Sequence, residues 1–394
     1  MGPLGFATVL LVTSFDTVLK YTGIAGLVAY FVVGTAIVIL GRGMVQSTFP
    51  RLLSDRQANY LTALVFIGLI AVTAFMYPIA NSGRFGGGTD IDDALIIGAG
   101  EILHGHYPYY KQTYLGGWIS PMPGTILLSV PFVLLDLLPY QNIFWLGMLF
   151  FTVRSKLRSS RYALGMLLTM LLFSPTFYQV LVTGSDHISN TIYVLIAMWF
   201  MVQAVSKPDS SVWQRMWPTI LLGIGLSSRS NFLLLLPLLF SVLAQNSTLI
   251  NAAKYVALAL TVMMIVTVPF WLYDPAGFSP LFVQSYKVNS LEAVLPYAGI
   301  VIPGSALILS IALSRVKMGP DCSVLFRHAA IVQLFVLLFS SILFAIKAQE
   351  FTLFLGTSGY GMFALFFGVV SAWITIRRDA LDGDPLHQPI LSTV

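Results

Sequence analysis

The chain has 394 residues, of which 57% are apolar types and only 9% are charged, with a mean hydropathy of +0.84. A soluble domain carries about 25% charged residues, so this composition excludes a single water-covered globule, a disordered protein and a coiled coil; the length allows roughly ten or more bilayer crossings of about 20 residues each. The formal charge of +5 is no sign of nucleic acid, because the charge of a membrane-protein loop reports its side of the bilayer and not its partner.

In chain order, apolar runs predict spans at 4–19, 22–41, 60–78, 122–138, 162–180, 188–205, 216–227, 231–244, 252–272, 297–314, 329–346 and 355–376. Several are shorter than a full crossing and read as tilted helices, half-helices or re-entrant pieces. A further apolar run, 140–153, follows 122–138 directly. The first run has no basic residue ahead of it and contains Asp16, unlike a secretory signal. The single cysteine, Cys322, allows no disulfide within the chain. No internal repeat is evident. The expected organisation is one all-α, polytopic transmembrane domain over 1–378, with about 11–13 transmembrane helices, an outer loop at 79–120 and a short, disordered cytoplasmic tail at 379–394.

Basic residues set the orientation. The loops at 42–59, 154–161, 206–215, 245–254, 315–327 and 377–394 hold 15 of the 21 Lys+Arg; the exceptions are Lys20, Arg84, Lys111, Arg229, Lys287 and Lys347. Positive loops stay cytoplasmic, so these six share the inner side. An odd number of crossings must then lie between the outer loop 79–120 and the inner loop 154–161. Runs 122–138 and 140–153 therefore cannot both span, and Pro121, Pro123, Pro131 and Pro139 mark where the chain breaks. If 4–19 does not cross, the amino terminus lies outside.

Ionisable residues near a membrane are costly and often mark function. The densest group is in the outer loop, Gly86-Gly87-Gly88-Thr89-Asp90-Ile91-Asp92-Asp93, followed by an amphipathic stretch to His104 and then Gly105-His106-Tyr107-Pro108-Tyr109-Tyr110. Thr89 or Asp90 is placed to cap a helix whose first turn favours carboxylates. Leu95, Ile96, Ala99, Ile102 and Leu103 give that helix one apolar stripe, as in a helix lying along a membrane surface. The plain reading is that the three aspartates only cap and solubilise it. A second reading takes Asp90-Ile91-Asp92 as a D-x-D pair for Mg or Mn, but the outer location counts against it, since such pairs usually serve cytoplasmic nucleotide sugars.

Three later segments are polar where a span should be apolar. Thr183-Gly184-Ser185-Asp186-His187 sits at a helix turn, where Asp186 is either a cap or functional. Gly223-Ile224-Gly225-Leu226-Ser227-Ser228-Arg229 places an arginine between two apolar half-spans, which demands an anionic partner: one of the chain's own aspartates, or a phosphate. Pro269 to Phe278 reads as a proline-broken helix end in an aromatic belt. His104, His106 and His187 lack the spacing of a zinc site. No Walker A sequence, dinucleotide fingerprint or G-x-S-x-G elbow is present. Asn246-Ser247-Thr248 fits a glycosylation acceptor but falls in an inner loop.

In this order the motifs resemble the GT-C superfamily of membrane glycosyltransferases, and within it the branch of mannosyltransferases that use polyprenyl-phosphate mannose. The resemblance rests on Gly88-Thr89-Asp90, the small-residue helix Ile97 to Leu103, Gly105-His106-Tyr107-Pro108-Tyr109, Ser120-Pro121-Met122-Pro123, Gly184-Ser185-Asp186, the turn ending in Arg229 and the segment 269–278. It covers about residues 84 to 280. Two apolar segments precede the one leading into the acidic loop, Ala94 stands where a tyrosine is common, and no soluble carboxy-terminal domain follows. The resemblance implies an integral membrane enzyme, expected in the plasma membrane with its site on the extracytoplasmic side. It would transfer a sugar, with inversion, from a polyprenyl-phosphate donor to a lipid-linked or cell-envelope glycan acceptor, without a cofactor. It implies Asp90 as catalytic base. Asp92, Asp93, Asp186, His187, Arg229, Lys111 and Lys347 are candidate substrate ligands, and Tyr107, Tyr109 and Trp118 candidate stacking or tail-lining groups. The alternatives are a transporter or lipid flippase, which would place its polar groups near mid-membrane, and a non-catalytic envelope subunit.

Overall fold

The computed structural model describes residues 2–47, 52–82, 84, 90–349 and 358–382. Gly86, Gly87, Gly88, Thr89, Arg51, Glu350 and the tail from 383 onward lie outside the described residues. Some 81% of the chain is helical and the described part contains no strand. Six helices are long and apolar enough to cross a membrane, or up to eight if each of two sharply bent pairs counts as one span; three shorter apolar helices add to them. This fits an integral membrane protein.

The chain opens with α1 (Pro3–Val12) and α2 (Phe15–Ser47). Ten residues make α1 about 15 Å long, half a hydrocarbon core, so the predicted span 4–19 is a half-helix turning at Thr13 and Ser14 into α2. Helix α3 (Asp55–Ala80) starts with a full capping box on Ser54 and Gln57. The predicted surface helix is α4 (Ile91–Leu103). Then follow α5 (Pro123–Leu134), α6 (Gln141–Leu157), α7 (Ser160–Phe173), α8 (Pro175–Val182), α9 (His187–Ser206) and α10 (Val212–Leu226). A 3-10 turn at Ser230–Leu235 leads into α11 (Leu236–Asn246), followed by α12 (Leu249–Tyr273), α13 (Ser279–Asn289), α14 (Ala298–Ser314), α15 (Ser323–Ala348) and α16 (Gly361–Asp382). Helix α16 runs past Arg378, so the first four residues of the expected disordered tail are helical.

Helix α9 is the axis of the bundle: 89% of its apolar window is buried, against 11–17% in α2, α3 and α12 on the periphery. A helix apolar all round is one that is packed all round, and a peripheral helix this apolar faces lipid and not water.

The proline-marked stretch breaks as expected. Helices α5 and α6 meet at 119°, with Asp136 in left-handed backbone and Pro139 in the turn between them. Both ends of α5 lie at the same end of the bundle. At its start, the Gly124 amide donates to Ser227; just past its end, Asn142 at the start of α6 is bonded to Ser185 and Ser189. Helix α6 alone therefore runs the length of the bundle here. Helices α7 and α8 are broken by 90° at Ser174-Pro175, so the predicted span 162–180 is one upright helix and one lying across its end.

Contacts join most of the basic loops into one end. Asp55 Oδ1 accepts from Ser159 Oγ, Ser160 N and Arg161 N at 3.1, 2.8 and 3.2 Å. Arg377 lies over Tyr162, Arg378 pairs with Asp321, and Lys156 donates to Gln203. Asn246 donates to Met318 O at 2.8 Å. The opposite end gathers the carboxylates and is called the acidic end below.

Candidate active site

The acidic end is assembled by three segments that meet at Gly184. Helix α4 lies across it. Its buried side is Asp92, Ala94, Leu95, Gly98 and Ala99. Of the expected apolar stripe, Ile96 and Leu103 point outward instead, 41% and 43% exposed. The reason is Asp92: a carboxylate takes a place on the buried side and turns the helix about its axis.

Asp90 stands at the N-cap position of α4 but makes no capping hydrogen bond. Its Oδ2 instead accepts from Thr113 Oγ at 2.5 Å, a charge-assisted contact. Among the described residues its Oδ1 takes no hydrogen bond. The residue is half-buried. The partner comes from a tight turn in which Thr113 N donates to Gly117 O and Gly116 N to Thr113 O, both at 2.9 Å, closed by an isolated bridge between Gln112 and Trp118. A Cβ on Gly117 would sit 2.8 Å from Asp90 Oδ2, so only glycine lets the carboxylate approach the turn. The same turn holds Asp93, whose Oδ2 accepts from Tyr114 N at 2.9 Å.

Asp92 is buried. Its Oδ2 accepts from Tyr77 OH at 2.7 Å and Asn81 Nδ2 at 2.9 Å, both at the end of α3. Burial pushes this carboxyl above the usual aspartate range, although the hydrogen bond from Tyr77 works against that shift. Gly184 packs on this pair at positive φ; a Cβ there would meet Tyr77 at 2.9 Å and Asp92 at 3.0 Å.

Two residues on, Asp186 is fully buried. Arg229 Nη2 donates to its two oxygens at 2.6 and 2.8 Å, and Asn190 Nδ2 to Oδ2 at 2.8 Å. The anionic partner demanded by Arg229 is thus the chain's own Asp186. Asp186 is thus held by the chain's own groups, with no carboxylate oxygen open to a substrate in this structure. His187 is also buried, with Nδ1 2.5 Å from Ser185 Oγ and its ring packed on Tyr360 and Phe363. It too belongs to the packing beneath the site. Arg229 keeps one edge: among the described residues its Nη1 makes no hydrogen bond, and the ring of Tyr360 lies 6.0 Å from Cζ.

The aromatic run divides. Tyr109 is 1% exposed, donates to Pro121 O at 3.2 Å and packs on Phe278, so it is core and out of reach of a sugar. Tyr107 donates to Phe270 O at 2.9 Å and stacks on Tyr273, while Tyr110 donates to Asp274 Oδ2 at 3.0 Å. Asp274 is held below the usual range by the amide of Gly277 and by Tyr110. These contacts moor the end of α12 to the loop after α4. Trp118 is 44% exposed, edge-on to Phe282. Lys111 pairs loosely with Glu101 at 3.9 Å, and His106 with the same carboxylate at 3.2 Å. Lys347 is exposed at the end of α15, with no ion-pair partner among the described residues.

Thr113, Gly117, Tyr77, Asn81 and Asn190 complete the site and escape the motif reading. Gly116-Gly117 between Leu115 and Trp118 is a turn signal, and Asn81 is a polar stop on an apolar helix; either flags the neighbourhood, though not the partner. Among the described residues no three His, Cys, Asp or Glu side chains converge as a metal site. Comparison with family models, curated proteins and solved structures returned no match.

Proposed function

We propose that this chain is a GT-C-like membrane glycosyltransferase that moves a sugar, mannose or a similar hexose or pentose, from a polyprenyl-phosphate donor to a lipid-linked or cell-envelope glycan. The observation that carries the reading is the state of Asp90. A carboxylate that only starts a helix would bind the helix amides. This one turns away from them, is oriented through one oxygen by Thr113, and keeps Oδ1 open among the described residues.

The chemistry follows from that geometry. An acceptor hydroxyl attacks the anomeric carbon from the face opposite the phosphate, and Asp90 Oδ1 takes its proton as the new C–O bond forms. The old bond from the anomeric carbon to the phosphate oxygen breaks with its electron pair. Polyprenyl phosphate leaves as an anion, and the sugar inverts. The free edge of Arg229 meets the phosphate charge, with Lys111 or Lys347 as further cations. Trp118 offers a face for a sugar, whereas the ring of Tyr107 is already packed by Tyr273, Tyr110 and Tyr109. Lipid-facing helices supply the apolar surface that the prenyl chain needs. The distribution of Lys and Arg supports an extracytoplasmic side for this end, and the reading takes the membrane to be a plasma membrane, where lipid-carried donors replace nucleotide sugars. The expected crossing number of 11–13 belongs to this reading.

The test is transfer by purified protein supplied with polyprenyl-phosphate sugars and candidate acceptors. Removal of a general base costs about 10²- to 10⁴-fold, so Asp90→Asn should lose activity on that scale while its thermal unfolding is unchanged. Wild-type rates in Asp90→Asn would sink the proposal. Activity lost to a chelator and restored by Mg or Mn would instead give Asp90 and Asp92 to a metal. Cys322 is buried, so Tyr114→Cys with an impermeant thiol reagent reports the side of the site; labelling from the cytoplasm would overturn the donor class.

A further inference from the structure

The basic end holds a cavity that the proposed transfer does not use. It has a volume of about 430 Å³, within the small-ligand range of about 300–1,000 Å³, and lies between the carboxyl end of α6 and the start of α7. Phe151, Arg154, Ser155, Arg158, Ser160 and Asp55 line it. The first four recur at helical spacing, so they share one face of α6. Among the described residues neither Arg154 nor Arg158 forms an ion pair. Asp55, the one carboxylate in the lining, is paired with Arg161 at 3.5 Å and accepts at Oδ1 from Ser159, Ser160 and Arg161 at the start of α7, which leaves Arg154 and Arg158 without a carboxylate of their own among the described residues. Two unbalanced guanidinium groups therefore flank one concavity.

Cations at a helix carboxyl end, on the inner side of a membrane, are expected for the dipole and for topology alone. That accounts for the charge and not for the hollow, and it has no preference for arginine. Arg158 also holds a left-handed C-cap, φ 51°, where glycine would sit without strain. An arginine fork suits phosphate in particular. The same face of α6 continues away from the cavity as Phe151, Met148 and Phe144, which are 60%, 42% and 51% exposed. Read along the helix, an apolar strip leads to a basic hollow about 4.5 Å beyond Phe151, at 1.5 Å per residue. That is the order of acyl chain and headgroup in a leaflet.

We propose that this cavity is a binding site for the phosphate headgroup of an anionic lipid, with its acyl chain laid along Phe144, Met148 and Phe151. Basic pockets between transmembrane helices on the cytoplasmic side take such headgroups. The site stands apart from the carboxylates of the acidic end and does not depend on the activity proposed for them.

The experiment is native mass spectrometry of the full-length protein in detergent, titrated with phosphatidylglycerol, phosphatidylcholine or inorganic phosphate. Wild type should retain phosphatidylglycerol in preference to phosphatidylcholine. Loss of charge-assisted bonds worth about 1.5–3 kcal/mol predicts at least roughly tenfold weaker retention in R154Q/R158Q, whereas R154K/R158K, which keeps the charge, should retain more. Ser155→Trp, which fills the cavity without altering charge, should weaken retention as well and decides the matter if R154Q/R158Q does not fold. No preference for the anionic lipid, or undiminished retention in Ser155→Trp, overturns the proposal. So does stoichiometric binding of inorganic phosphate that excludes the lipid, which would make this a soluble-anion site.

Discussion

The two ends of the bundle carry charge in opposite ways. At the basic end, charges are mostly exposed and paired loosely: Arg378 with Asp321 at 3.5 Å, Arg161 with Asp55 at 3.5 Å. Exposed pairs of this kind are worth about 0–1 kcal/mol. At the acidic end, Asp90, Asp92 and Asp186 are half or fully buried, and each is held by a donor from a distant part of the sequence. Thr113 lies 23 positions from Asp90, Tyr77 15 from Asp92, and Arg229 43 from Asp186. The membrane accounts for where the first set lies; only the protein's own packing accounts for the second. Buried, perturbed carboxylates cluster at functional sites, which is why the proposal rests on the acidic end.

That contrast can be broken at defined points. The largest effect should come from the buried pair. Arg229→Leu leaves Asp186 charged and unpaired, which costs about 3–5 kcal/mol, and should show as a large drop in thermal unfolding temperature. The double variant D186L/R229L should recover much of the loss; if it does not, the pair does more than neutralise itself. By comparison, removing Arg378 at the other end should shift unfolding little.

An intermediate effect is expected at Gly117. Ala in its place puts a methyl group 2.8 Å from Asp90 Oδ2 and pushes the carboxylate off Thr113. Small misplacements of a reacting group cost up to about 10²-fold, so in the proposed transfer the turnover number should fall about tenfold with KM little changed. A change in KM alone would move Gly117 from positioning the base to binding substrate.

The smallest effect sharpens the contrast through pH. The folded state raises the Asp92 pKa above its unfolded value, so it binds the proton more tightly. The corresponding stability is fully present below the ordinary aspartate pKa and is lost as pH rises through the folded value. Asp92→Asn keeps an oxygen for Tyr77 and Asn81 but has no proton to lose. Unfolding curves recorded across the carboxylate range and up to neutral pH should therefore slope downward for wild type and run flatter for the variant. Equal slopes would remove Asp92 as their source.

Much of the fold is legible in the sequence because a bilayer imposes simple rules. Apolar runs gave helices close to their predicted places, the proline-rich stretch 121–139 gave the fold-back of α5, and the surface helix ends at Leu103, just ahead of Gly105. What periodicity cannot show is which side of a helix a long-range bond will claim. Asp92 looks like one of three equivalent first-turn acids, and only Tyr77 and Asn81 make it a buried one. Asp90 has the sequence of a cap, and Thr113 takes it out of that role. Tyr109 and Tyr110 are adjacent and alike in type, yet one is core and the other ties down Asp274. Arg229 required an anion, and the sequence offered several; the choice of Asp186 follows from Gly184, whose missing Cβ lets that turn close on α3 and α4.

The seating of α16 has a consequence for biogenesis. Gly165 on α7 receives the indole of Trp373, while Gly361 and Gly368 of α16 lie against Thr13 and Val9 of the first helix. Gly165 thus keeps a notch for a helix made much later, and α16 brings two notches of its own that receive the first helix and its cap. A nascent chain halted before Gly361 leaves the Gly165 notch, Val9 and Thr13 without the partner they pack against. Insertion proceeds in sequence order, but α1 reaches its final packing only when α16 arrives, which makes the last described helix the keystone of assembly and the part whose truncation the cell's quality control should detect first.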